Sequence, residues 1–309
     1  MPSTKALKQR IKATKNTAQI TKAMEVVSAT KMRKSQAFAL SARPYAAASL
    51  EMLKNLLVRT PILPPLLQNR EVKKSLLLIV TSDKGLAGAF NANVLKKTDQ
   101  WIEAKKRNNA EFILITVGKK AKEYYERRKM PIEQSFWGAG DFSTLTETLP
   151  VANKVLDGFL NSRWDEVESI YTNFRSTLVQ ETVMRKLLPA TLTGLQEAVE
   201  GILPARGRFS TMSDQQPATS SYTYEYKFEP SATEILNVLV PQLIRMHVHH
   251  IILESNASEH SARMVAMKNA SDNAKELITD LTLVYNKARQ AQITRELIEI
   301  TAGKEALEQ

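Results

Sequence analysis

The sequence of 309 residues contains no cysteine and only ten glycines. Without a thiol there is no disulfide framework, no cysteine nucleophile and no zinc site built on thiolates. No apolar run approaches the ~18 residues that would span a bilayer. The N-terminus has lysines but no apolar core or small-residue cleavage site, so no secretory signal is visible. Arg10, Arg33 and Arg43 are too sparse, and the surrounding pattern too unbroken, for a transit peptide. A non-secreted chain without membrane spans is expected, long enough for one or two domains with a buried core.

The scarcity of helix breakers is uneven. Neither glycine nor proline occurs from Ser3 to Arg43, nor from Gln242 to Ala302. Ordinary globular helices run about 8 to 20 residues, so stretches of this size point to coiled coil. At ~1.5 Å per residue the second stretch would form a rod of about 90 Å. Along it, Leu277, Leu281, Val284, Ala288, Ala291, Arg295 and Ile298 alternate steps of four and three, the a/d spacing of a left-handed supercoil. Two alanines make that seam slim. Pro230, Ser231 and Glu234 mark its start with a capping box, Pro241 predicts a kink near the base, and Gly303 suits the terminus. The first helix has a broken stripe, Leu7, Ile11, Ala18, Ile20, Met24, Val27 and Met32, that needs a partner. The simplest arrangement pairs the terminal helices antiparallel, with the rest of the chain inserted between them.

Residues 1–60 hold twelve Lys/Arg against Glu25 and Glu51, so nearly all of the net charge of +11 sits there. A basic helix is a solvated face, a docking surface for an acidic protein, or a nucleic-acid surface. The lack of interleaved aromatics weakens the last.

The middle of the chain changes character. Ser75–Ser82 (SLLLIVTS), Phe112–Val117 (FILITV) and Val167–Phe174 (VESIYTNF) read as strands. Helical patterns fill Asn91–Arg107, Lys119–Arg128 and Leu145–Leu160. That alternation predicts a mostly parallel, doubly wound sheet. The resulting division is 1–60 as an N-terminal coiled-coil helix, 75–229 as a Rossmann-like α/β domain, and 230–309 as a C-terminal coiled-coil helix. Residues 195–221 read as a loop or mobile insertion, and YTYEYKFE (222–229) as one further strand.

Candidate chemistry is thin. The first strand ends in TSDKGLAGAFN, where a nucleotide-binding fold would hold phosphate. Gly85 and Gly88 match neither G-x-G-x-x-G nor a P-loop, and two glycines at such a turn serve packing more often than a ligand. His247, His250 and Glu254 could share one helix face, but no second cluster completes a metal shell. Polar histidines on a helix surface are the expected reading. No catalytic triad or carboxylate pair stands out.

Ile20–Lys34 (ITKAMEVVSATKMRK), TSDKGLAGAFN, Ala257–Ala274 (ASEHSARMVAMKNASDNA) and Leu283–Gly303 (LVYNKARQAQITRELIEITAG) together resemble the gamma subunit of the rotary F-type ATP synthase. The resemblance runs over the whole chain in order. Ile293, Thr294, Glu296, Glu299 and Gly303 fit the family's C-terminal signature, while Lys304 stands where alanine is usual. The resemblance implies a non-catalytic central stalk, without a cofactor. It implies a coiled coil inside a ring of alpha and beta subunits, with the α/β domain on the membrane c-ring beside the epsilon subunit. By position, Arg289, Gln290 and Thr294 correspond to a polar grip on beta-subunit loops, and Met24 to a residue facing an acidic beta-subunit loop. Lys22, Lys31 and Arg33 would join that electrostatic interface, accounting for the basic helix without nucleic acid. Chloroplast-type relatives carry a cysteine pair in an insertion; with no cysteine here, thiol switching is excluded. A bacterial enzyme, peripheral on the cytoplasmic face of the plasma membrane, is the favoured source, with a processed organellar chain as the alternative.

Overall fold

A computed structural model describes residues 3–41, 43–60, 63–138, 143–194, 229 and 231–307. In chain order the elements are α1 (Thr4–Ser41), α2 (Arg43–Arg59), β1 (Lys74–Val80), α3 (Phe90–Arg107), β2 (Glu111–Val117), α4 (Lys119–Arg127), β3 (Ile132–Phe136), α5 (Leu145–Leu160), β4 (Glu166–Phe174), β5 (Gln180–Leu188) and α6 (Ala232–Leu307). The chain forms two compact units: residues 1–27 with 264–309, and residues 28–263.

The larger unit is built on a five-stranded sheet of order β3-β2-β1-β4-β5. β1 pairs parallel with β2 and β4, β2 parallel with β3, and β5 returns antiparallel at the edge of β4. Period-two alternation divides β1 between two cores, as expected of a strand covered on both faces. Leu76, Leu78 and Val80 pack with Leu53 and Leu56 of α2, Val155 and Phe159 of α5, and Leu236, Val240, Ile244 and Val248 of α6. Leu77 and Ile79 pack with Val94 and Trp101 of α3 and Ala121 and Tyr125 of α4. The three strands and three helices expected in this region are present. β3 and β5 were not anticipated, because IEQSF has no apolar run and β5 is only half covered along most of its length.

α6 starts as expected, with Ser231 Oγ accepting the Glu234 N–H at 3.2 Å. The helix continues through Pro241. The expected insertion at 195–221 and the strand over 222–228 lie outside the described residues. No described helix is long and apolar enough to cross a membrane.

In the smaller unit the two terminal helices pair. Thr4 Oγ1 donates to Gln292 Oε1 at 3.0 Å, which fixes the register. Burial on α1 recurs at Thr4, Leu7, Ile11, Thr14, Ala18, Thr21 and Glu25, alternating steps of three and four. On α6 it recurs at Met267, Ser271, Ala274, Ile278, Leu281, Tyr285 and Ala288. Running one helix backwards from Thr4–Gln292 sets Leu7 against Ala288, Ile11 against Tyr285, Thr14 against Leu281, Ala18 against Ile278, Thr21 against Ala274 and Glu25 against Ser271. From Leu7–Ala288 to Glu25–Ser271 every buried or half-buried position then meets another, so the pair is antiparallel and heptad-based.

The seam expected from sequence needs correction. Leu281 and Ala288 belong to it, but Leu277 and Val284 are exposed, as are Ala291, Arg295 and Ile298. On α1, Ile20 and Val27 point outward, at 61 % and 52 % exposure, and threonines hold the inner positions. Leu7, Ile11 and Ala18 of the expected stripe do lie on the seam; apolarity misled elsewhere because Thr14, Thr21 and Ser271 share the seam while apolar residues also lie outside it. Thr14 and Thr21 satisfy their own hydroxyls on the Arg10 and Thr17 carbonyls, at 2.9 and 3.0 Å, so a close partner costs no unpaired group.

Candidate functional site

The residues assigned by position do not converge on one site. In the smaller unit Lys22 is exposed and binds Glu25 Oε2 at 3.0 Å, while Met24 is half-buried beside the seam. Arg289, Gln290 and Thr294 are exposed on α6, where the Thr294 hydroxyl donates back to the Gln290 carbonyl at 3.0 Å. By the register, Met24 lies level with Asp272, about 27 Å along the pair from Gln290. They form two separate levels on one shaft. Lys31, half-buried, and Arg33, exposed, belong to the larger unit.

Sequence missed the apolar surface around these polar groups. Ile20, Val26 and Val27 on α1 and Leu283, Val284, Ile293, Leu297, Ile298 and Ile300 on α6 are all exposed in this unit. The signal was present, since these are the apolar residues left over once the heptad takes the threonines and alanines.

The TSDKGLAGAFN turn is committed to the protein itself. The turn supplies partners to the neighbouring helix α4, whose first four backbone N–H groups are all occupied. Lys119 N donates to Asp83 Oδ1 at 2.8 Å, Lys120 N to the Ser82 carbonyl, Ala121 N to Thr81 Oγ1 and Lys122 N to the Gly118 carbonyl. Asp83 Oδ2 also takes the Gly138 N–H at 2.8 Å. Before α3, two carbonyls of the turn are taken by Arg263: Nη2 reaches Lys84 and Gly85 at 3.3 and 3.2 Å, and Nε reaches Gly85 at 3.3 Å. A Cβ on Gly85 would meet nothing, so close packing does not account for that glycine, whereas Gly88 has the left-handed φ of 56° that glycine favours. A cavity of about 580 Å³ opens at the carboxyl ends of β1–β3, lined by Asp83, Glu147 and Glu259 among others. Its carboxylates are already engaged, Asp83 as above, Glu147 on the Thr144 N–H at 2.7 Å and Glu259 on Arg263 at 2.6 Å.

The histidines are not on a surface. His247, His250 and His260 are buried, and His249 lies 2.9 Å from Thr148 Oγ1. Burial holds His247 down at about 4 and His250 at about 3, and pushes Glu254 up to about 7. At neutral pH the 3.8 Å approach of His250 to Glu254 therefore joins an uncharged imidazole to an acid about half protonated, not an ion pair. No described group of three or more such residues could hold a metal ion.

The family model for ATP synthase matches residues 3–307. A gamma chain of the ATP synthase from Roseiflexus castenholzii is 40% identical over 312 residues, covering 99% of each chain. This chain belongs to the ATP synthase gamma-chain family. Another family member, from Crocosphaera subtropica, is 39% identical over 314 residues and is covered completely. Two solved structures share the fold. A central stalk and c-ring structure from Tetrahymena thermophila mitochondria has a TM-score of 0.57 at 24% identity, over 82% of this chain and 99% of that one. A chain of the Euglena gracilis mitochondrial assembly gives 0.61 at 19%, over 98% and 94%. Gamma chains of this family are subunits of the synthase.

Proposed function

We infer that this chain is the central rotor stalk of an F-type ATP synthase, coupling ion-driven rotation of a c-ring to ATP synthesis or hydrolysis at beta subunits. The observation that carries the reading is the full-length match to gamma chains on a chain whose ends form a slim antiparallel pair. The beta sites would be driven through their states by differential contact with an asymmetric shaft, not by any group on this chain. The segments 1–60 and 230–309 serve as the shaft and 75–229 as the foot, beside an epsilon subunit and on the c-ring. Its place is peripheral, on the cytoplasmic face of a bacterial plasma membrane.

Met24 with Lys22, Lys31 and Arg33 faces an acidic beta-subunit loop, and Arg289, Gln290 and Thr294 grip beta loops at the second level. Exposed ion pairs are each worth about 0–1 kcal/mol, which suits a bearing that must not lock. Co-expression with alpha and beta subunits from the same source tests the reading. A complex of three alpha, three beta and one copy of this chain is expected, its ATPase altered by Gln290→Ala or Met24→Lys. A chain that stays apart and leaves the alpha–beta ring unaffected overturns it. Salt-dependent DNA binding would then favour the nucleic-acid reading.

A further inference from the structure

We propose that Arg263 is the positioning residue that locks the β1–α3 turn to α6 and so stiffens the larger unit against twist. The proposal rests on the rotor reading for its mechanical consequence, but the lock itself does not. Arg263 is the last residue of the larger unit, and Met264 the first of α6 in the smaller one. Arg263 is thus the last residue of α6 inside the unit that holds the sheet. Its side chain is 7 % exposed and fans out over three groups. Nη2 meets Glu259 at 2.6 Å one helical turn back, Nε and Nη2 hold the Lys84 and Gly85 carbonyls, and Nη1 lies 3.3 Å from His260 Nδ1.

The guanidinium is suited to this because its donors form a rigid planar fork, whereas an ammonium would present a single point charge. A buried arginine anchored by one carboxylate on its own helix orients all its remaining donors outward. The held turn is otherwise unusual: Leu86 and Gly88 both have left-handed backbone, with φ of 63° and 56°. The turn is thus fixed at two carbonyls by a residue 178 and 179 positions away in sequence. Glu259 and Arg263 lie in the Ala257–Ala274 segment, which with the TSDKGLAGAFN turn carries the family resemblance, and the arginine joins the two.

Two readouts test this. In the full chain alone, Arg263→Ala is expected to raise amide exchange in residues 84–90 at least tenfold, leaving β4 unaffected. In the assembled complex, with the alpha–beta ring fixed and a bead on Lys106→Cys (the chain's only thiol), the angular variance of the paused shaft is expected to double at least. Arg263→Lys should fall between wild type and alanine, and Glu259→Gln, which loosens the anchor while keeping the guanidinium, should do likewise. If the alanine variant does not fold, the lysine and glutamine variants decide both readouts. Unchanged exchange at 84–90 overturns the lock, and unchanged variance in a rotating complex overturns its mechanical role. Raised exchange in Arg263→Ala, with a wild-type chain that never assembles a rotating complex, would instead refute the rotor reading and leave the lock standing.

Discussion

One helix crosses two regimes. From Leu243 to Met267 no residue of α6 is exposed, whereas from Arg289 to Ala302 every residue is. Up to Ile252 the first stretch lies among α2, α5 and the sheet, where burial of apolar area at roughly 25 cal/mol per Å² does the stabilising. The second lies beyond the seam and buries no side chain. An element of uniform secondary structure thus belongs to a domain core at one end and to a surface at the other. Burial, rather than helix propensity, separates the two, and substitutions should divide along the same line.

The largest effects are expected where the larger unit is tightest. A Cβ on Gly158 of α5 would overlap the Trp164 indole, and one on Gly118 would collide with the Thr81 carbonyl, at a φ of +97°. Trp164 is held by its Nε1 donating to the Val155 carbonyl at 3.1 Å and has no room to move. Gly158→Ala and Gly118→Ala are each expected to cost about 3 kcal/mol or more in urea unfolding. Gly85→Ala is the contrast, since a Cβ there meets nothing. A destabilisation by Gly85→Ala equal to that of Gly118→Ala would show the turn to be misplaced.

The next effect is a pH dependence confined to the larger unit. His247 and His250 bind protons below about 6.5 only when unfolded, so acid favours unfolding through them until pH nears 4 and 3. Glu254, beside Tyr171, Arg175 and Arg185, works the other way. Its folded form holds a proton up to about pH 7, so acid favours folding through it between 7 and the ordinary 4.5. Around pH 5.5 the two protons gained on unfolding by His247 and His250 are offset by the one Glu254 loses, and His249, also held down by burial, adds to the fall. Stability should fall with acid by about 1.4 kcal/mol per pH unit. Glu254→Gln should roughly double that slope in a denaturant series at pH 5 to 6.5. A flat profile would mean the histidines are hydrated in solution.

The seam gives a smaller and sharper test. Ile278 is half-buried on the heptad and its neighbour Leu277 is 41 % exposed. Ile278→Ala is expected to cost about 1–2 kcal/mol in a probe that reads the paired helices, and Leu277→Ala under 0.5. The reverse ranking would restore the register read from sequence. That reading found the long helices because glycine and proline are absent, and found β1, β2 and β4 because central parallel strands are apolar throughout. It missed β3 and β5, where an edge position leaves less of the side-chain pattern apolar. On α6 it had Leu281 and Ala288 right but put Leu277 and Val284 on the seam, where Ser271, Ala274, Ile278 and Tyr285 lie instead, because the polar members broke the apolar pattern. The partner-contact residues came from resemblance alone, because a bearing surface has no chemistry to give it a motif. Arg263 was invisible for another reason: its targets are backbone carbonyls far away in sequence, which no spacing encodes.

The smallest effect falls on the smaller unit's surface. Lys22 is 57 % exposed at its side chain and pairs with Glu25 at 3.0 Å, three residues along the same helix. Such a pair is screened by solvent, so Lys22→Ala should change stability by under 0.5 kcal/mol. Glu25 is different, because its carboxylate, 17 % exposed, sits on the heptad opposite Ser271. Glu25→Ala removes a buried acid from a seam that is otherwise uncharged, leaving Lys22 free in solvent. It should therefore be neutral or stabilising, by up to about 1 kcal/mol. If both variants were strongly destabilising, the pair would be a structural strut and the smaller unit would owe its order to charge. If Lys22→Ala were neutral alone yet altered ATPase activity in the assembled complex, its cation would be acting on a partner. That pattern is the one expected of a surface whose stability and whose contacts are carried by different atoms.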